Sequence, residues 1–146
     1  MFTERNKIME VGVPVAAANN TDSNSDILDM SGWDGVVFIA PIEDSVSGGV
    51  ATLKAEQDVA NADGGMAAIV GASSVATSVA NDDLNGKILL LDVYKPQERY
   101  VQGVRVSATQ NIAFGTLIAI QYNGRLSPPT EHASIAELVA VVCPTL

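Results

Sequence analysis

Turn-forming residues divide this chain into short segments, and this spacing limits its fold more than any other feature. Clusters of glycine, asparagine, serine and proline recur along the sequence. They are Ser31-Gly32, Ser47-Gly48-Gly49, Asn61 to Gly65, Asn81 to Gly86, Pro96, Asn123-Gly124 and Pro128-Pro129. The segments between them have the length of β-strands, which is the spacing typical of a β-sandwich or barrel. We therefore predict an all-β protein.

Hydrophobic residues recur with a period of two in the segments that define the expected sheets. In residues 49–56, Ala51, Leu53 and Ala55 share one face and polar side chains occupy the other. This alternation predicts a strand with one buried face. Residues 112–122 are apolar on both faces. We predict a central strand there, covered on both sides.

Three shorter segments also have the character of strands. Residues 36–39 and 88–91 are continuous apolar runs that are too short for a helix, and they predict buried strands. Residues 104–107 alternate two valines with Arg105 and Ser107. That pattern predicts a strand whose polar side chains face solvent.

The composition favours thin, closely packed sheets in a single domain. Hydrophobic residues make up 47% of the 146 residues, with 19 alanines, 18 valines and only seven aromatic residues. Small and β-branched side chains suit sheets better than a bundle of long helices. Residues 16–31 carry little apolar periodicity. We therefore predict an extended N-terminal arm over residues 1–31 and one antiparallel β-sandwich over residues 32–146.

At most one or two short helices are expected. Residues 66–70 could form one or two turns, opened by Asp63 and closed by Gly71. Residues 134–142 are ambiguous, because their start fits a helix capping box while their valine-rich end favours a strand. We favour a turn that leads into a final strand.

The charge balance argues against a nucleic acid as partner, and the lengths of the apolar runs argue against a membrane. The chain has 17 acidic and 8 basic residues, a net charge of −9. Nucleic-acid binding requires rows of Lys and Arg against phosphates, and no stretch of this sequence supplies one. No apolar run approaches the roughly 18–20 residues needed to cross a bilayer. We expect neither a nucleic acid nor a membrane as partner.

Catalytic and metal-binding patterns are absent from the sequence. The single histidine, His132, excludes sites built on several imidazoles, and neither nucleophile-elbow nor nucleotide-binding glycine motifs occur. We interpret His132 as a loop residue and the single Cys143 as a small buried hydrophobe. The Asn and Asp side chains of residues 81–85 could supply oxygen ligands, so a bound metal ion stays open as an alternative. A turn rich in Asn and Asp needs no metal, however. We expect no enzymatic activity, cofactor or metal.

Aromatic and arginine side chains beside the turns are the candidate interface residues. These residue types are enriched at binding hot spots, because they bury large areas and donate directional hydrogen bonds. The candidates are Trp33, Tyr94, Arg99, Tyr100, Tyr122 and Arg125. Trp33 lies between two glycines, and we favour a role for it in closing the core.

The pattern of strands and turns resembles that of small tailed-bacteriophage proteins. The matching stretches are Gly49 to Asp58, Leu90 to Pro96, Arg99 to Val101, Asn111 and Ala119 to Tyr122. Together they lie within residues 33–130. The family consists of head cement or decoration proteins, encoded close to the major capsid protein.

This resemblance implies a jelly-roll-like sandwich that binds the outer surface of a capsid and stabilises contacts between major capsid protein subunits. It also implies assembly as a dimer or trimer, and a location on the virion after synthesis in the host cytoplasm. The resemblance identifies no contact residues. Two alternatives stay open: a phage tail, neck or fibre component, and a carbohydrate-binding module in which Trp33 and the tyrosines stack on sugar rings.

Overall fold

A computed structural model describes residues 1–143 of the chain and shows an all-β protein. The strands are β1 (Lys7–Gly12), β2 (Val15–Ala18), β3 (Thr21–Asn24), β4 (Leu28–Asp29), β5 (Gly35–Ser45), β6 (Val50–Asp58), β7 (Ala67–Thr77), β8 (Ile88–Tyr94), β9 (Tyr100–Ala108), β10 (Ile112–Phe114) and β11 (Leu117–Tyr122). Two single-turn 3₁₀ helices, Phe2–Glu4 and Asp63–Gly65, are the helices of the described residues. The predicted all-β class is confirmed.

The strands form two antiparallel sheets. In the first sheet, β11 and β10 pair with one side of β5, and β8 pairs with its other side. β1 pairs with the free side of β11, and β2 pairs with the free side of β10. The second sheet has the order β3-β9-β6-β7, with β4 beside β3 on the same edge of β9. Both sheets are therefore four extended segments wide.

The connectivity is that of a jelly roll. Short bends divide β1 from β2, β3 from β4, and β10 from β11, so each pair behaves as one extended segment. Of the connections between the resulting eight segments, only the β6–β7 hairpin stays within one sheet. All others cross from one sheet to the other, as in double-sheet jelly rolls. The expected sandwich architecture is confirmed.

The core lies between the two sheets and is lined by alternate residues of each strand. Phe38 from β5 and Leu53 from β6 are fully buried, and alanines on both inner faces let the sheets approach closely. Phe38 packs directly over Gly103 of β9, where an added Cβ would lie 2.9 Å from two ring carbons. The predicted inner face of residues 49–56 is confirmed, since Ala51, Leu53 and Ala55 are all buried.

Residues 16–31, interpreted from the sequence as an arm, instead contribute strands to both sheets. β2 pairs with β10, while β3 and β4 pair with β9. Leu28 and Met30 join the core, as do Met9 and Val11 of β1. The apolar pattern is weak because β3 is a short strand at a sheet edge, with Thr21 and Ser23 half-buried.

Three other local predictions are wrong. Residues 66–70 form no helix: Ala67 and Ala68 pair with β6, and Gly71 lies within a bulge of β7 at φ +79°. The final strand expected within residues 134–142 does not form in that range, where the chain carries only a turn and a bend. Cys143 follows this segment and is exposed, so it is not the buried hydrophobe we predicted.

Candidate functional site

The outer face of the first sheet carries a continuous set of apolar side chains. Inner residues of β5 such as Val36 and Phe38 are fully buried, so the alternate residues point away from the sandwich. The outer face consists of Ile8, Glu10, Val37, Ile39, Pro41, Ile88, Leu90, Asp92, Tyr94, Ile118, Ile120 and Tyr122. We refer to this set as the outer face.

Strand register places these side chains in adjoining rows. Ile8, Ile120 and Val37 stand side by side across three strands. The next row begins at Glu10 of β1 and continues through Ile118 and Ile39 to Leu90. Side chains at paired positions of neighbouring antiparallel strands lie in contact range. The apolar side chains of both rows therefore join into one surface, which Glu10 borders at the β1 edge and Asp92 borders at the β8 edge.

The edge strand β8 is the most exposed part of this surface. Ile88, Leu90 and Tyr94 are 54%, 59% and 60% exposed, whereas Leu89 and Leu91 point into the core. The prediction that residues 88–91 form a wholly buried strand is therefore half wrong. A strand covered on one side only has to expose alternate residues, whatever their polarity.

Residues 112–122 were predicted to be covered on both sides, and the structure shows a second layer on one side only. The inner residues Leu117 and Ala119 are fully buried, while Ile118 and Ile120 on the outer face are partly exposed. β11 is a central strand, as predicted, between β1 and β5. Its apolar outer side chains are thus the sequence signal that pointed to this surface.

Tyr122 and Tyr94 lie at one end of the outer face. Gly35 of β5 stands between them, since it pairs with Tyr122 of β11 on one side and with Tyr94 of β8 on the other. The Tyr122 ring covers Gly35, where an added Cβ would overlap the phenol. The Tyr122 hydroxyl donates a 2.8 Å hydrogen bond to Asp92. Burial raises the pKa of this phenol above its usual range, and the bond to Asp92 raises it further. Lys95 lies 5.1 Å from the centre of the Tyr94 ring.

Trp33 and Arg125 meet at the loops beyond this end of the sheet. We call residues 30–34, 95–99 and 123–126 the loop end. Trp33 is partly buried against the core, as favoured from the sequence. Its ring covers Gly124, where an added Cβ would lie 2.6 Å away. The Arg125 backbone N–H donates to the Gly32 carbonyl at 3.0 Å, and a shallow groove of the loop end is lined by both Trp33 and Arg125.

Arg99 lines the same groove but is engaged with a neighbouring side chain. Its guanidinium forms a two-pronged contact with the Asp29 carboxylate, at 2.9 and 2.8 Å. These bonds hold the pKa of Asp29 below its usual range. The guanidinium also lies 5.2 Å from the centre of the Tyr100 ring. Tyr100 pairs with Asp58 and Asp29 in the second sheet, so it lies apart from the outer face.

The six candidate residues therefore divide into three groups. Tyr94 and Tyr122 belong to the outer face, Trp33, Arg99 and Arg125 to the loop end, and Tyr100 to the second sheet. The first two groups adjoin at the end of β8 and β11.

The remaining polar candidates form local turn contacts. His132 Nδ1 lies 2.7 Å from Ser134 Oγ, which also accepts a bond from the Glu10 backbone N–H. The Asp83 carboxylate accepts bonds from Ser78 Oγ and the Val79 backbone N–H. Within residues 1–143, no group of three or more His, Cys, Asp or Glu side chains could hold a metal ion. None of the helices in that range is long and apolar enough to span a membrane.

Arg105 is a feature that the sequence pattern did not indicate. It was predicted to face solvent on β9, yet it is 2% exposed and points into the sandwich, as does Ser107. Arg105 and Ser107 lie on the inner face of β9 and pair with Leu53 and Ala51 of β6, whereas Gln102 is buried on the other face of the strand. Alternation alone shows that two faces differ, and pairing with other strands decides which face is buried.

Comparison with known proteins adds no identification. No protein-family model matches this chain, and no curated protein or solved structure matches it.

Proposed function

We propose that this chain is a structural virion protein that binds the outer surface of a tailed-phage capsid and stabilises contacts between major capsid protein subunits. The resemblance of its strand and turn pattern to head decoration proteins motivates the proposal. The observation that carries it is the apolar outer face, with Leu90 and Tyr94 exposed at its edge. The proposed partner is the major capsid protein, and the proposed assembly is a dimer or trimer of this chain.

The size of the outer face fits a role as part of a protein interface. Four strands spaced about 4.8 Å apart, each contributing about seven residues at 3.3 Å, give roughly 400 Å². A standard interface buries about 800 Å² on each partner. The loop end adjoins the outer face and supplies further area with Trp33 and Arg125. An apolar surface of this area supports a role in which the protein acts by binding other proteins.

Repetition and charge are compatible with the same role. A capsid presents many copies of one seam, so contacts of modest affinity become collectively strong when the bound units contact one another. The net charge of −9 keeps a small protein with an exposed apolar face soluble. It also disfavours binding to packaged DNA.

The experiment compares two matched substitutions on purified protein added to heads that lack it. Leu90→Glu places a charge on the outer face, where Leu90 is 59% exposed, and Val75→Glu places one on β7 of the second sheet, where Val75 is 58% exposed. We expect Leu90→Glu to weaken co-sedimentation with heads at least about tenfold, since burying an unpaired carboxylate costs more than 1.4 kcal/mol. Both variants should keep the wild-type melting temperature within about 2 °C, because both sites are exposed.

Binding to heads should also raise the temperature at which they release DNA. Wild-type protein and Val75→Glu should do so, and Leu90→Glu should not. Wild-type protein that fails to co-sediment with heads contradicts the proposal. Co-sedimentation with isolated tails instead, or specific signals on a glycan array, would favour the tail component or the carbohydrate-binding module.

A further inference from the structure

Arg105 is a buried cation without an ionic partner among the described residues. Its side chain enters the space between the sheets from β9 and is 2% exposed. Nη1 donates a 2.7 Å hydrogen bond to the Gly115 carbonyl. Nε is buried without a partner, and no carboxylate of residues 1–143 lies within 4 Å of the guanidinium. A guanidinium carries five N–H donors, so most of its bonding capacity is unused.

This arrangement is unusual for an arginine at such depth. Buried charges in proteins are paired with an opposite charge or fully hydrogen-bonded, because removing them from water is costly. Desolvation lowers the pKa of Arg105 from its ordinary value, and no neighbouring carboxylate offsets that change. By contrast, exposed Arg99 has a complete two-pronged contact with Asp29. The protein thus pairs a surface arginine and leaves the buried one unpaired.

A groove connects the guanidinium with solvent. It lies between the bend that joins β1 to β2 and the facing edge of β3, and Arg105 lines its inner wall. The other lining residues are Glu10, Val11, Gly12, Val13, Val15, Ser23, Asn24 and Asp26. The absence of a side chain at Gly12 makes room for the guanidinium, since an added Cβ would lie 2.6 Å from Nη2.

The free donors determine what this groove can bind. Nη1 is occupied by Gly115 and Nε is closed off from solvent, whereas Nη2 lies beside Gly12 on the groove wall and makes no hydrogen bond to the described residues. Nη2 carries two N–H groups and part of the guanidinium charge, so it can donate charge-assisted hydrogen bonds to a carboxylate oxygen. Glu10 and Asp26 at the groove repel any anion, and they repel a phosphate dianion more strongly than a singly charged carboxylate.

We propose that the groove between β1, β2 and β3 is a carboxylate-binding site in which Arg105 is the anion-recognising residue. The carboxylate belongs either to a small organic acid or to a peptide, as a side chain or a chain terminus. The site lies on the strand edges between the two sheets, and its lining shares only Glu10 with the outer face. This inference is therefore independent of the proposed capsid function.

The test follows the side-chain Nε–Hε signals of the four arginines by NMR during titration with sodium acetate, against sodium chloride at equal ionic strength and pH. The Arg105 signal is assigned by its loss in Arg105→Lys. We expect acetate to move this signal saturably, with a Kd on the order of 1 mM, as suits a single charge-assisted pair. The signal of exposed Arg125 serves as the internal control.

Gly12→Ala is a second variant, which keeps Arg105 and reduces the space around its guanidinium. Its Cβ would meet Nη2, and the backbone at Gly12 is not in the left-handed region. We expect this variant to lose the acetate response at least tenfold while remaining folded. Gly64→Ala, whose Cβ meets no atom within 4 Å, should retain it.

Three results would overturn the proposal: no acetate response beyond that of chloride, an equal response at Arg125, or an unchanged response in Gly12→Ala. If acetate binds, a short peptide with a free terminal carboxylate and its amidated form distinguish the two sources. Tighter binding of the free peptide than of acetate assigns the site to a peptide. Equal or weaker binding assigns it to a small acid.

Discussion

The contact between Phe38 and Gly103 provides a direct test of how the two sheets pack. Phe38 belongs to β5 of the first sheet and is fully buried, and Gly103 faces it from β9 of the second. An added Cβ at Gly103 would lie 2.9 Å from Cδ1 and Cε1 of the ring. Carbon atoms prefer about 3.5–4.0 Å, so the ring would have to move by roughly 0.6–1 Å.

The expected cost of Gly103→Ala depends on whether the ring is present. In the wild-type background, overpacking of this kind costs about 1–3 kcal/mol. Phe38→Ala alone costs about 3–5 kcal/mol, because it leaves a cavity. In that cavity the Gly103 methyl meets no ring, and the loss of glycine flexibility in the unfolded chain then contributes about 0.4–1 kcal/mol of stability. We therefore expect a coupling free energy of about 1.4–4 kcal/mol between the two sites, the difference between that cost and that gain.

Urea unfolding of the wild type, both single variants and the double variant measures this coupling. With an m-value of about 2 kcal/mol/M, Gly103→Ala should lower the midpoint by about 0.5–1.5 M in the wild-type background. It should leave the midpoint unchanged or raise it in the Phe38→Ala background. Gly64→Ala, with no atom within 4 Å of the added Cβ, is the matched control. Equal costs of Gly103→Ala in both backgrounds would refute the inferred packing of the sheets.

Two further predictions concern the tyrosine at the edge of the outer face and the N-terminal strands. Burial and the hydrogen bond to Asp92 raise the pKa of Tyr122 in the folded protein. The neutral phenol therefore stabilises the fold below the pKa of about 10 that tyrosine has in the unfolded chain, and this stabilisation is lost as pH rises through the pKa of Tyr122 in the folded protein. Absorbance titration at high pH should show one tyrosine that ionises later than the others. Tyr122→Phe should remove this late step, and Asp92→Asn should shift it to lower pH. An unchanged titration profile in Tyr122→Phe would contradict the assignment. Deletion of residues 1–30 removes four buried apolar side chains, worth about 6–12 kcal/mol at about 1.5–3 kcal/mol each. That loss is comparable with total stability, so calorimetry should show no cooperative transition, whereas deletion of residues 1–6 should preserve one.

The outer face explains why the same strands can look buried in sequence and be exposed in the fold. β11 is apolar on both faces because it packs against the second sheet on one side and carries part of the outer face on the other. A large exposed apolar surface on a small protein is typical of an interaction site. It therefore serves as the starting point for the capsid-binding experiment.

The sequence by itself determined the strand content, the inner face of residues 49–56 and the position of the central strand β11. These features follow from local chemistry, since turn residues end strands and a period of two marks two unlike faces. The same local information placed Trp33 beside the core, because an aromatic residue between glycines at a strand end can close a sandwich.

Only the tertiary structure decided which strands lie at edges and which side of each is covered. That is why Ile88 and Leu90 are exposed, Arg105 is buried and residues 16–31 belong to the sheets. Residues 67–70 belong to β7 for the same reason, because pairing with β6 outweighs a weak helical pattern. Burial depends on partners distant in sequence, and alternation contains no information about where those partners lie.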